Sequence, residues 1–403
     1  MTLMAPVAAA QADALDHWTT NQVSTNYFGL RCVAYGQGRY VAFGEYSDWG
    51  AILSSEDGIH WTLRNDGNGP AGSGLSFPIG LVYTGDKFFA LGGFGSSGVS
   101  SNGIDWTIVR DGLGQLGMYG QGCGVTYGAS RYVAVGKGLY GATDTVFVST
   151  DGITWTVPYS GLPAGAVVGD IAYGAGLFVA KGINSGGVND SEHIYTSTSG
   201  LLGWTQRSIP GGQFISFCRD LFVVPFGSGT NLLSADGRNW AVLGTGLTNA
   251  ISKPIYANGL FMARAGAYLA TSSDGTNWFQ YAHPLPGTTY SGMSDIATDG
   301  TRLVTVSSVQ TNWPSGFYSF NSFAYCSEVL AGVRMATTPQ PQLVLSGLVG
   351  RSYRIEATDT LPTSAPGTWQ PLTTVQLPTT PWVWTDPAAN SSPQRFYRTV
   401  LLP

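Results

Sequence analysis

The chain has 403 residues, enough for one large repeat domain with a small companion, or for two or three ordinary domains. Its 56 Gly, 12 Trp and 20 Tyr, set against only 11% charged residues, argue against a mainly helical protein and suit many short strands joined by tight turns. A net charge of −5 with no Lys/Arg cluster argues against a nucleic-acid partner, and no apolar run is long enough to predict a transmembrane segment.

The N-terminal segment, 1–15, begins MTLMAPVAAAQA, and its Ala10-Gln11-Ala12 resembles the end of a secretory signal, although the basic region that precedes such a signal is missing. The alternative is an ordinary apolar terminus. The first reading places the chain outside the cytoplasm, as a secreted, periplasmic or cell-surface protein.

From residue 16 to about 330 one phrase recurs: Ser-x-Asp-Gly-x-x-Trp. It centres on Asp57 and Trp61, Asn102 and Trp106, Asp151 and Trp155, Asp236 and Trp240, and Asp274 and Trp278. A degenerate copy with one extra residue runs from Ser197 through Ser199-Gly200 to Trp204. Before each copy stands a short strand, a Gly turn and a second strand, as in Val33-Ala34-Tyr35-Gly36 followed by Arg39-Tyr40-Val41-Ala42-Phe43. Such a unit predicts four antiparallel strands per repeat, with the Asp in the turn between strands three and four. The Asp accepts backbone N–H groups, the Gly takes positive φ, and the Trp packs between repeats.

Six complete copies are followed by a seventh hairpin, Asp295–Gly300 and Arg302–Val306, and a third strand, Ser322–Ser327. The missing fourth strand is found at the other end of the chain, where Trp18 stands one repeat length before Trp61. These features predict an all-β chain: a seven-bladed β-propeller at 16–330 whose N-terminal strand closes the last blade and removes exposed edges. Six blades with a separate N-terminal strand is the alternative. A linker is expected at 331–341, and a small β-sandwich of five or six strands at 342–403.

The repeated phrase resembles the Asp-box, or BNR, repeat of sialidase-like propellers, with its Gly shifted by one position. That resemblance implies a structural turn away from any catalytic centre. The tail string YRIEATDTL…TWQPL…DP…RFYR is similar to C-terminal modules of secreted Verrucomicrobia and Planctomycetes proteins. It implies export or surface attachment, and no activity.

By analogy with other propellers, the loops joining strands two and three, and one blade to the next, share the functional face. They carry Tyr46, Asp48, Trp49, Tyr140, His193, Trp313 and Tyr318. Aromatics beside Asn and Asp suit sugar rings, so a glycan is the first ligand expected and a protein partner the second. Packing of long loops against one another is the plain alternative for each residue. If the chain is an enzyme, a hydrolase would use Asp170 and Asp295, which hold equivalent positions in two blades, and a lyase would use His193 and His283 with Tyr140. The two aspartates equally suit local backbone hydrogen bonding. The Arg cluster expected of a sialidase is not found. Only Asp190, Glu192 and His193 approach a metal-ligand cluster, and no phosphate loop, nucleophile elbow or dinucleotide fingerprint occurs, so no metal or cofactor is expected. Cys32, Cys123, Cys218 and Cys326 are either paired in an undetermined way or buried thiols. The combined expectation is an exported, non-catalytic propeller that binds a glycan or protein, as part of a larger surface assembly. A polysaccharide-degrading enzyme is the second reading.

Overall fold

A computed structural model describes residues 18–24, 28–46, 49–65, 75, 78–109, 124–136, 145–158, 162–185, 188–212, 214–227, 229–257, 260–266, 268–272, 274–282, 292–312, 318–327, 331–336, 342–347, 350–358, 369–378, 382–387 and 396–402. Contacts divide the chain into two compact units. One comprises Thr20–Asp299 and Val304–Cys326, and the other is built around Ser327–Pro403.

The larger unit is a succession of small sheets, each starting with the hairpin read from the sequence. The first sheet pairs Phe28–Gly36, Arg39–Tyr46, Trp49–Ser55 and Thr62–Asn65 in order. The first strands of the next five sheets are Pro78–Tyr83, Gly124–Gly128, Val168–Gly174, Ser216–Cys218 and Ile255–Ala257. A seventh sheet has the order Trp18–Ser24, Tyr318–Ser327, Leu303–Asn312, Gly292–Thr298, so a strand from the start of the chain lies beside one from residue 318 onward. The third sheet has three strands among the described residues, with a bridge between Val148 and Thr156 in place of the fourth.

Second strands are mainly apolar, as in Phe88–Gly92 and Arg131–Gly136, because both of their faces are covered. Side chains alternate between faces with a period of two, and the hydrophobic clusters follow that alternation. Tyr40 and Ala42 pack with Ala297, Val304 and Cys326 of the seventh sheet, whereas Val41 and Phe43 pack with Leu81, Phe88 and Ala90 of the second. Val133 and Val135 likewise face the fourth sheet, and Tyr132 and Ala134 the second. Each of these interfaces receives one Trp of the repeated phrase, as Trp155 packs with Phe89 and Tyr132.

A second aromatic series binds the hairpins. Tyr35–Tyr40, Tyr83–Phe88, Tyr127–Tyr132, Tyr173–Phe178, Phe217–Phe222 and Tyr256–Phe261 have ring centroids 4.5–4.9 Å apart. The first ring of three of these pairs also covers a glycine of the preceding sheet. A Cβ on Gly36, Gly128 or Gly174 would fall 2.4, 2.1 and 2.1 Å from Tyr83, Tyr173 and Phe217. Glycine at that position lets the rings lie on backbone.

The repeated turns follow one hydrogen-bond scheme. Oδ1 of Asp57, Asn102, Asp151, Asp236 and Asp274 accepts the backbone N–H groups two and three residues on, at 2.7–2.9 Å. In the degenerate copy the Ser199 hydroxyl accepts the same pair at 3.1 Å. Trp61, Trp155 and Trp278 donate their indole N–H to the turn glycine's carbonyl at 3.0–3.3 Å. Trp204, displaced by the extra residue, has a buried indole N–H with no acceptor among the described residues, as do Trp106 and Trp240. Burial pushes the Asp151 carboxyl up, but the N–H groups of Thr154 and Ile153 and the Ser149 hydroxyl outweigh it and hold it at about 2. Its folded pKa lies below the unfolded 3.8, so its stabilisation is complete above that value and is lost as pH falls below it. Asp151→Ala should lower stability at neutral pH by about 1–2 kcal/mol, the range for losing a largely exposed side chain that caps backbone N–H groups. Urea denaturation at neutral pH and at about pH 3 checks this, since the difference between variant and parent should shrink in acid.

In the second unit, Gln342–Gly347 lies between Ala331–Ala336 and Trp382–Thr385, and Ser352–Thr358 lies between Gln370–Gln376 and Phe396–Leu401. Leu345 of one sheet and Tyr353 of the other share a core with Leu377. Buried Glu356 takes Arg354 Nε at 2.7 Å and Arg398 Nε at 2.6 Å, and the Arg398 guanidinium stacks on Trp369. The linker expected at 331–341 is corrected in its first half. Ala331–Ala336 is a strand, paired with Gln342–Gly347 from Ala331↔Gly347 to Ala336↔Gln342.

Candidate functional site

The first strands of all seven sheets line a cavity of about 540 Å³, and residues at their starts line a second cavity of about 400 Å³. Register fixes which end this is. The strand start Leu30 pairs with Gly44, while the turn serine Ser55 pairs with Tyr40, so the repeated turns lie at the other end of the sheets.

Equivalent positions at or just before the seven first strands all line the second cavity: Cys32, Gly80, Gly124, Asp170, Phe214, Lys253 and Asp295. The ring is lopsided. Sheets one to three contribute small side chains and therefore space, and sheets four to seven contribute an acid, an aromatic, a base and a second acid. Arg31 and Arg264 add two further cations. A Cβ on Gly124 would fall 2.7 Å from the Asp170 backbone, so the glycine makes room for that carboxylate.

Both carboxylates named in the sequence analysis tie one sheet to another. Asp170 accepts its own strand's Ile171 N–H and the Ile215 N–H, each at 2.9 Å, and Lys253 Nζ at 2.8 Å. Asp295 accepts Ile296 N–H and Val33 N–H, each at 2.9 Å, the latter across 262 positions of sequence. This is the backbone-bonding alternative allowed from the sequence. Each oxygen of both acids accepts a backbone N–H group, which fixes the two carboxylates at the junctions between sheets.

Burial drives the Asp295 carboxyl up to about 6, against the pull of Val33 N–H, Ile296 N–H and Lys253. The folded chain therefore holds a proton between the unfolded value of 3.8 and about 6 that the unfolded chain has released, and this contribution makes stability fall as pH rises through that window. Comparing urea midpoints of the parent and Asp295→Asn at about pH 4 and about pH 6.5 checks this: the variant should lack that decline.

His193 lies in a separate cluster. Its Nδ1 is 2.8 Å from Asp190 Oδ1, and Asp190 also accepts Tyr195 O–H at 2.8 Å and Val167 N–H at 2.8 Å. Beneath it the fully buried Lys181 donates to the carbonyls of Gly182, Ser191 and His193 at 2.6, 2.6 and 3.2 Å. Burial lowers the Lys181 pKa to about 8, with Asp190 opposing. Asp190 is thus saturated by protein donors, and no group of three or more His, Cys, Asp or Glu that could hold a metal occurs among the described residues.

Of the other candidates, Tyr46 and Trp49 face each other across a hairpin and Tyr318 pairs with Asn312, all as strand residues whose side chains lie outside the described set. Asp48, Tyr140, His283 and Trp313 lie outside the described residues. Cys32, Cys218 and Cys326 are buried free thiols, so no disulfide joins these three; burial pushes the Cys32 and Cys218 thiols up, the latter to about 11. Sequence reasoning singles out Asp170 and Asp295 but passes over Lys253, Phe214 and Arg264. A signal for two of them exists, because Phe214 and Lys253 stand three residues before the aromatics Phe217 and Tyr256, just as Asp170 stands before Tyr173.

No helix among the described residues is long and apolar enough to cross a membrane. No family model matches the chain, and no curated protein matches it. Among solved structures it is similar to YCF48 from Cyanidioschyzon merolae, with a TM-score of 0.53 and 14% identity over 77% of this chain and 98% of that one. It is less similar to PorZ, an essential surface component of the type-IX secretion system of Porphyromonas gingivalis, with a TM-score of 0.49 and 10% identity over 84% of this chain and 44% of that one. The likeness to YCF48 is one of fold alone, and with the succession of small antiparallel sheets it identifies the larger unit as a β-propeller.

Proposed function

We propose that this chain is an exported, non-catalytic seven-bladed β-propeller that holds a glycan or protein partner on the face where the first strands begin, within a larger surface assembly. The C-terminal unit is then a small β-sandwich that docks or spaces the propeller. The observation that carries the non-catalytic reading is the engagement of Asp170 and Asp295 by backbone N–H groups of two sheets each. Seven sheets contributing first strands to one cavity, and a strand from residue 18 completing the last, support the blade count. Two sheets sharing Leu345 and Tyr353 support the sandwich. The Asp side chains that accept backbone N–H groups in the repeated turns support reading those turns as structural and Asp-box-like, and export rests on the tail's resemblance and the Ala-Gln-Ala sequence. The test is a glycan and peptide binding screen on the whole chain, with product analysis of each hit. Binding without cleavage supports the proposal, and new reducing or unsaturated ends overturn it.

A further inference from the structure

The turn from Ser100 to Trp106 is the one copy of the repeated phrase with Asn before its glycine; Asp57, Asp151, Asp236 and Asp274 hold that place in four copies, and Ser199 in the degenerate one. The carboxylate has moved three residues along, to Asp105, where those four copies carry His60, Thr154, Asn239 and Asn277. The contact survives with its roles exchanged. Asn102 Nδ2 donates to Asp105 Oδ2 at 2.9 Å, whereas Asn239 and Asn277 donate to Asp236 and Asp274 at 2.7 and 2.9 Å. The glycine that follows cannot be exchanged. Gly103 has a φ of 70°, and a Cβ there would fall 2.7 Å from Val41. Asn followed by Gly is the pair in which a backbone nitrogen most readily attacks a side-chain amide, because glycine has no Cβ to obstruct the approach.

The closed turn opposes that attack. Gly103 N–H donates to the buried Ser100 hydroxyl at 2.8 Å, so its proton is engaged and its nitrogen is turned away. Asn102 Oδ1 accepts Ile104 N–H and Asp105 N–H at 2.9 Å and the Ser100 O–H at 3.1 Å, and Nδ2 is held by Asp105. The carboxamide is thus fixed at both ends, although the residue itself is exposed to solvent. We propose that Asn102 is a self-modification site gated by this turn: when the turn opens, Gly103 N attacks Asn102 Cγ, Nδ2 leaves as ammonia, and water opens the resulting cyclic imide to aspartate or isoaspartate. The new C–N bond replaces the Cγ–Nδ2 bond, the Gly103 proton leaves with the ammonia, and no oxidant or cofactor is consumed. The four Asp-Gly copies are ionised at neutral pH, and a carboxylate carbon resists the same attack. Both products spoil the turn. Aspartate sets a second carboxylate where Nδ2 met Asp105, and isoaspartate lengthens the main chain just before Gly103, drawing its N–H away from Ser100. An opening that ends in reaction is therefore recorded permanently in the second sheet, whatever the propeller binds.

The experiment incubates the intact chain in mildly alkaline buffer, folded and in guanidinium chloride, and follows residue 102 by peptide mapping. Mapping separates it from Asn68-Gly69 and Asn258-Gly259, the other Asn-Gly pairs of the sequence. Conversion at 102 should be at least about ten-fold slower in the folded chain, because it waits on local opening. Asp105→Ala frees Nδ2, and Ser100→Ala frees the Gly103 N–H. Each should raise conversion in the folded chain several-fold and leave it unchanged in guanidinium chloride. Asp151→Ala loosens the equivalent turn of the third sheet and should leave conversion at 102 as it was. Asn102→Asp should lower the urea midpoint, and adding Asp105→Asn, the arrangement of the fifth and sixth sheets, should restore it. Equal conversion in the folded and unfolded chains, or conversion indifferent to both Asp105→Ala and Ser100→Ala, overturns the gating. An unchanged midpoint in Asn102→Asp overturns the lasting effect of the aspartate product.

Discussion

Gly128→Ala should destabilise the larger unit by about 3 kcal/mol, the upper range for forcing a methyl into a packed core. The new Cβ would sit 2.1 Å from the Tyr173 ring, which is pinned in turn by Phe178 at 4.5 Å between centroids. Phe178 closes one side of the Tyr173 ring, so relief requires moving that ring toward the cavity and giving up its contact with Phe178. Tyr173→Ala alone should also cost about 3 kcal/mol, through lost burial and a cavity. The double variant should lose clearly less than the sum, because removing the ring vacates the space that the new methyl needs. Urea midpoints of the four chains check this, and strict additivity would mean that glycine and ring do not meet.

Lys181→Ala should destabilise by about 3–5 kcal/mol, the range for removing one partner from a buried charged network. Three carbonyls lose their donor, and the Asp190 carboxylate loses its counter-charge. Lys181→Met keeps the apolar stem and should lose less. The pH profile separates charge from packing. The unfolded chain keeps the lysine proton up to 10.5 while the folded chain releases it near 8, so stability of the parent should rise with pH across that window. Lys181→Met should lack that rise. Thermal midpoints at about pH 7.5 and about pH 10 provide the comparison.

Much of this fold is legible in the sequence because its signals are local and repeated. The Asp–Gly–Trp phrase, the aromatic-glycine strand ends and the alternating apolar second strands recur every few tens of residues, and each copy calibrates the next. Even the strand from residue 18 is found by counting. Ala331–Ala336 is misread because its neighbour in the sheet, Gln342–Gly347, follows a Pro- and Thr-rich stretch whose composition matches a linker. The site is less legible for a different reason. Asp170 and Asp295 are recognisable as a column, but whether a strand-start acid faces solvent or a neighbouring backbone N–H depends on how adjacent sheets are staggered, which no local pattern encodes. Lys253 and Phe214 occupy the same column, yet Pro254-Ile255 replaces the apolar-small pair that follows it elsewhere, and Phe214 puts an aromatic ring where other copies carry a small or charged residue.

The hydrogen bond from Val33 to Asp295 spans 262 positions, and its consequence is kinetic. Sheets one to six can each form from contiguous chain, but the contact between first and last cannot be made until the last has been synthesised. Loop closure over that length adds an entropic barrier at the final step, on the order of (3/2)RT ln n. Interactions absent from the transition state set the unfolding rate rather than the folding rate. The seam around Asp295 therefore acts as a latch: weakening it should shorten the lifetime of the closed molecule far more than it slows assembly.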